Sequence, residues 1–255
     1  MKQGLIIGNS HVAMIAKFWH ANPDHYPDMN LTFMAQPGLG PKDIQFDGTV
    51  MYSTDPDFLQ FQRTLGTKPR VDLEKFDFLV IVACGLSFYP LAGILRSCHV
   101  WGWDYNTQNQ LISSVCLQTA LMDSLQNTYG AKLVKTIRRR TAIPIYIVPQ
   151  PLPSEQLSIL KQKGGNFRKI DMNGINQQAY QAYETALEDA FSPHKNTTII
   201  FQPKETIKSN IYTRSTFTKG AVRLYNLNKQ QPETDILHAN QDYGGLILGK
   251  LTNLI

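Results

Sequence analysis

Short continuous apolar runs alternate along this chain with stretches in which apolar residues recur every three or four positions. Residues 5–7 (Leu-Ile-Ile) form a buried-strand run that stops at Gly8. Residues 11–20 then take up helical spacing, with Ala13, Ala16 and Phe18 or Trp19 on one face. Residues 30–35 read as a second strand, closed by Gln36-Pro37-Gly38-Leu39-Gly40-Pro41, where two glycines and two prolines dictate a turn. Residues 49–53 suit a short edge strand. Residues 77–83 (Asp-Phe-Leu-Val-Ile-Val-Ala) are apolar enough to be covered on both faces, as parallel strands are.

A segment rich in aromatics and glycine, residues 88–109, separates that strand from a helix predicted over 113–129. Further strands are expected at 143–148 and 197–201, with an amphipathic helix at 173–191 between them. A polar, turn-rich stretch covers 210–231, and a closing helix spans 243–254. Strands alternating with helices predict one α/β domain over 1–255, a mostly parallel sheet covered by helices on both faces. In such sheets ligands bind beyond the carboxyl ends of the strands, where Ser10, Gly38, Gly40, Gly85, Ser87 and Pro149 to Pro151 all fall.

Composition narrows the class only slightly. The chain has 255 residues, 42% apolar, ordinary for a protein with a real core, and its 25 basic against 20 acidic residues leave a formal charge of +5. That excess is too mild to imply nucleic-acid binding, and the basic run at 135–140 reads first as a solvated surface. Cys84, Cys98 and Cys116 show neither metal-ligand spacing nor an even count for a disulfide framework, so a reduced compartment is expected. The apolar start is cut short at Gly8, too early for a spanning helix or a signal-peptide core, so a soluble cytoplasmic protein without stable membrane insertion is expected.

Two places carry chemistry. Ser10 sits where a strand turns into a helix, a position that lifts a side chain out at the sheet edge beside the free N–H groups of the first helical turn. The same placement suits a helix cap. A nucleophilic serine needs a base and a group to orient that base. His238, three residues after Asp235 and followed by Ala239-Asn240-Gln241-Asp242-Tyr243-Gly244, supplies both. His11 adjoins Ser10 but is expected to point elsewhere if the helix begins there. No metal-ligand pattern such as HExxH is present, and nothing in the sequence calls for a cofactor.

Gly8-Asn9-Ser10-His11 after the first strand, with Asp235-Ile-Leu-His238-Ala-Asn240-Gln-Asp-Tyr243-Gly244 before the last helix, resembles the SGNH (GDSL-type) serine hydrolases. The resemblance implies a flavodoxin-like three-layer α/β/α fold, with Ser10 as nucleophile, His238 as base and Asp235 as its partner. It also implies an oxyanion hole from the Ser10 N–H, a glycine N–H after the second strand (Gly40, or Gly38) and an asparagine side chain after the third. The sequence departs from the pattern at that last place. Gly85-Leu86-Ser87-Phe88 stands where the family carries Gly-x-Asn-Asp, which leaves Ser87, or Asn106 or Asn109, as substitute donor. Asn9 likewise replaces the usual aspartate.

Trp101, Trp103 and Tyr105, with Tyr89, are the candidate pocket wall, able to stack on sugar rings or an acyl chain, or simply to pack the segment on the sheet. Family members of this kind often act on short acyl esters of carbohydrates. The resemblance therefore implies a small-molecule acyl ester or acylated carbohydrate as substrate. An O-acyltransferase with the same three residues, or a non-catalytic carbohydrate-binding protein with a degenerate site, are the alternatives.

Overall fold

The computed structural model describes residues 1–103, 109–159 and 165–255. Among the described residues five parallel strands make the central sheet: β1 (Lys2–Gly8), β2 (Met29–Ala35), β3 (Phe78–Val82), β4 (Ile145–Val148) and β5 (Thr197–Ile199). Their spatial order is β2-β1-β3-β4-β5, the flavodoxin-like order. The chain leaves β1 toward one edge and returns to β3 on the other side. The loops following β1 and β3 therefore part company and open a crevice at the carboxyl ends of the strands.

Among the described residues eight α-helices surround the sheet: α1 (Val12–Ala21), α2 (Pro56–Thr64), α3 (Tyr89–Ser97), α4 (Ser114–Gln126), α5 (Tyr129–Arg138), α6 (Gly165–Met172), α7 (Asn176–Phe191) and α8 (Gln241–Thr252). Strand side chains alternate between two cores. Leu5, Ile7, Leu79, Ile81, Ile145 and Ile147 face the cluster that α2 to α7 complete. Ile6, Val80, Val82, Tyr146 and Val148 face the one closed by α1 and α8. The result is a three-layer α/β/α sandwich. Among the described residues no helix is long and apolar enough to cross a membrane.

The main strands and the closing helix lie where the apolar pattern puts them, and four local readings change. Residues 49–53 are not an edge of the main sheet: Val50–Tyr52 pairs antiparallel with Gln45–Asp47 and Arg70–Asp72 in a separate small sheet. A tight loop through Gly48, at φ +59°, makes the first of these pairs a hairpin. The aromatic segment after β3 holds α3, which turns Leu91, Ala92 and Leu95 inward. The helix predicted at 113–129 is two helices, because the Thr128 hydroxyl accepts the N–H of Ala131 and starts α5 afresh. The basic run then falls at the end of α5. There the Arg138 guanidinium donates to the carbonyls of Thr141, Ile143 and Asn196 rather than to solvent alone.

Helices α1 and α8 meet at backbone distance. A Cβ on Gly244 would stand 2.2 Å from the Met14 carbonyl oxygen, and one on Gly245 would stand 2.5 Å from the Phe18 ring. A Cβ on Gly249, one turn further along α8, would meet nothing within 4 Å. Gly244→Ala is therefore expected to destabilise the fold by about 1–3 kcal/mol or more, through forced separation of the helices. Gly249→Ala is expected to stabilise it by roughly 0.5–1 kcal/mol, by removing glycine's entropy cost in a helix. Urea unfolding of the two variants beside the wild type measures both signs.

Candidate active site

Gly8 ends β1 in a space no side chain would share: a Cβ there would lie 2.7 Å from the Val82 carbonyl oxygen. Asn9 then shapes the turn with both ends of its amide. Its Oδ1 accepts the His11 N–H at 3.1 Å, and its Nδ2 donates to the Gly38 carbonyl at 3.1 Å, tying the loop after β1 to the loop after β2. An aspartate could make only the first of these bonds. The helix starts with Val12 and Ala13 donating to the carbonyls of Asn9 and Ser10, and no side chain caps it. The Ser10 hydroxyl is thus not a cap. It lies 2.9 Å from Nε2 of His238.

On its other edge His238 places Nδ1 2.8 Å from Oδ2 of Asp235. The second carboxylate oxygen, Oδ1, accepts the N–H groups of Leu237 and His238 at 2.8 and 2.9 Å, so the carboxylate is fixed by its own turn. Burial pushes the Asp235 carboxyl up, but the hydrogen bonds from the His238 ring and from these backbone groups outweigh it and bring it down to about 2. An ionised Asp235 can only accept, so the proton on the imidazole sits at Nδ1 and leaves Nε2 free to accept the serine O–H. A hydroxyl, an imidazole and a carboxylate in this order can pass a proton from the oxygen to the ring while the carboxylate holds the resulting charge.

Asn240 keeps this turn in place. Its Oδ1 accepts the N–H groups of Asp242 and Tyr243, capping α8, while Nδ2 donates to the carbonyls of Thr216 and Lys219. Tyr89, the first residue of α3, carries a buried hydroxyl with no hydrogen-bond partner among the described residues. Burial first, and then the charge of Asp235, hold its phenol above the usual range. His11 departs from expectation. The helix does begin beside it, yet its ring does not point away: it stacks on His238 with centroids 4.8 Å apart and planes 24° from parallel. Burial foremost, and then the neighbouring His238, lower its pKa to about 3. The sequence contained a signal for Asn240, an asparagine just ahead of a helical pattern, but none for the stacking of His11.

The other sequence candidates are spread more widely. Gly40 is buried at φ +120°, where a Cβ would be 2.9 Å from Sγ of Cys84, so the loop after β2 touches the loop after β3. Gly38 is engaged through its carbonyl with Asn9. The chain leaves β3 through three consecutive left-handed residues, Ala83, Cys84 and Gly85, and reaches a half-buried Ser87 just before α3. Asn109 donates to the Arg96 carbonyl at the end of α3. Trp103 packs half-buried on the core, whereas Trp101 is 72% exposed. Tyr105 and Asn106 lie outside the described residues.

A cavity of about 640 Å³ opens beside Asp235, with Gln156, Thr218, Gln230 and Gln231 in its walls; Ser10 does not line it. Among the described residues no group of three or more His, Cys, Asp and Glu side chains is gathered as metal ligands would be. No family model and no curated protein matches this chain. Among solved structures, a GDSL-like lipase from Bacteroides thetaiotaomicron is similar over 99% of this chain and 86% of its own, at 12% identity and a TM-score of 0.38.

Two shifted groups of the site, His11 and Asp235, make stability depend on pH on the acid side. Burial holds His11 at about 3 in the fold against the ordinary 6.5 of an unfolded imidazole, so the unfolded chain binds the extra proton between those values. Its neutral burial costs nothing above pH 6.5 and destabilises the fold progressively as pH falls toward 3, with a slope of at most about 1.4 kcal/mol per pH unit. Asp235 adds a loss in the same direction as pH falls from its unfolded value of 3.8 to about 2. Melting temperature against pH is expected to drop over the first window in the wild type and to drop less there in His11→Phe. Asp235→Asn is expected to flatten only the second.

Proposed function

We propose that this chain is a serine esterase of the SGNH (GDSL) type that hydrolyses short acyl esters. What carries the reading is the continuous line from the Ser10 hydroxyl through the His238 imidazole to the Asp235 carboxylate. Ser10 Oγ attacks the acyl carbonyl carbon as its proton passes to Nε2 of His238. The imidazolium then gives that proton to the departing alkoxide oxygen as the ester C–O bond breaks. Water, deprotonated by the same nitrogen, attacks the acyl-enzyme, and Ser10 leaves with the proton restored. Asp235 holds the tautomer and balances the charge on the ring throughout.

In this reading the backbone N–H groups of Ser10 and Gly40 take the oxyanion, with the Ser87 hydroxyl in the place of the family's asparagine amide. A donor lost from such a site costs roughly 100- to 1,000-fold in rate, so a modest turnover on generic esters is expected. The substrate is a small acyl ester, and an acylated carbohydrate is the class that the family resemblance suggests. Transfer of the acyl group to a sugar hydroxyl in place of water would use the same three residues.

Release of p-nitrophenol from p-nitrophenyl acetate tests the reading. Ser10→Ala and His238→Ala are each expected to lower kcat/KM by at least about 1,000-fold. A fluorophosphonate is expected to label the wild type at Ser10 and neither variant. A wild type that turns over no faster than its variants and takes no label would sink the esterase reading. Labelling without hydrolysis, with acyl transfer once a sugar acceptor is added, would select the transferase.

A further inference from the structure

We infer that His11 is a positioning residue, a flat platform that holds the plane of the His238 ring in line between Ser10 and Asp235. The inference rests on the reading of His238 as the base. His11 is 5% exposed, and its buried Nδ1 has no hydrogen-bond partner among the described residues, so no polar contact of that atom there explains an imidazole. Its backbone is held on both sides. The N–H goes to Oδ1 of Asn9 and the carbonyl accepts the N–H of Met14, so the first turn of α1 sets the direction of the ring. The turn that presents the Ser10 hydroxyl to Nε2 thereby also lays a ring against the face of His238, at 4.8 Å between centroids.

The need for such a platform follows from the geometry of the line. A hydrogen bond from Nδ1 to Asp235 anchors one edge of the imidazole, but the ring can still swing about that edge and carry Nε2 away from the serine oxygen. A ring packed flat on one face blocks the swing. Ser10 and Asp235 thus engage the edges of the His238 ring, and His11 lies on its face. The platform must not compete for the proton or repel the imidazolium formed during the reaction. Burial, which holds His11 neutral down to about pH 3, meets both conditions.

The test compares His11→Ala, His11→Leu and His11→Phe. Misplacing a reacting group by about an ångström costs on the order of 100-fold, so His11→Ala and His11→Leu are expected to lose about 10- to 100-fold in kcat with little change in KM. His11→Phe, which restores a flat ring, is expected to recover most of that loss. The second readout needs no turnover: the low-field Nδ1–H proton resonance of His238, identified by its disappearance in Asp235→Asn. It is expected to be sharp in the wild type and in His11→Phe, and broadened by exchange in His11→Leu and His11→Ala. A sharp resonance in His11→Leu, or a His11→Phe variant as impaired as His11→Leu, overturns the inference. If the wild type neither hydrolyses esters nor labels at Ser10, the esterase reading fails while the resonance still decides the platform. Should His11→Ala not fold, the Leu and Phe pair gives the same decision.

Discussion

The close approach of α8 to α1 is the contact on which the site depends. Ser10 and His238 are 228 positions apart in the chain, and a hydrogen bond of 2.9 Å between them cannot by itself hold two ends of a protein together. The helices that follow them do so. Gly244 lets the backbone of α8 lie against the Met14 carbonyl, and Tyr243, Ile247, Leu248 and Leu251 seal the contact with the apolar side of α1. With α8 so placed, its capping residue Asn240 is fixed, and the turn from Asp235 to His238 follows within a few residues.

Above that frame the site combines groups of contrasting environment. Asp235 and His238 are both partly reached by solvent, with side chains 17% and 15% exposed, and their turn satisfies the carboxylate with its own backbone. His11, against the same ring, is buried and stays neutral. On the other side of Ser10 the loops after β2 and β3 press together at Gly40 and Cys84. The left-handed run there costs on the order of 1–2 kcal/mol for each of Ala83 and Cys84. Such local strain persists only where the surrounding core over-determines it, as two fully covered strands do here.

Much of the fold was legible because the strands of this sheet are buried on both faces. Residues 77–83 read as a strand on apolar content alone, and β3 occupies 78–82. Periodicity failed where local chemistry overrode it. Pro90, Gly93 and flanking aromatics hid α3, although Leu91, Ala92 and Leu95 carry its buried side. Thr128 restarted a helix that spacing alone would continue. The short strand at 50–52 was seen, but not its partners, since a three-residue strand does not say which sheet it joins.

The sequence by itself determined the α/β class, the strand-to-turn placement of Ser10 and the pairing of Asp235 with His238, because each is a matter of residues within a few positions of one another. Tertiary structure alone decided that the Ser10 hydroxyl turns to His238 rather than capping α1, that His11 lies across the His238 ring, and that Gly40 meets Cys84. These are contacts between loops far apart in the chain. Their distances are set by how helices and strands pack, a property of the assembled core that no local pattern of residues encodes.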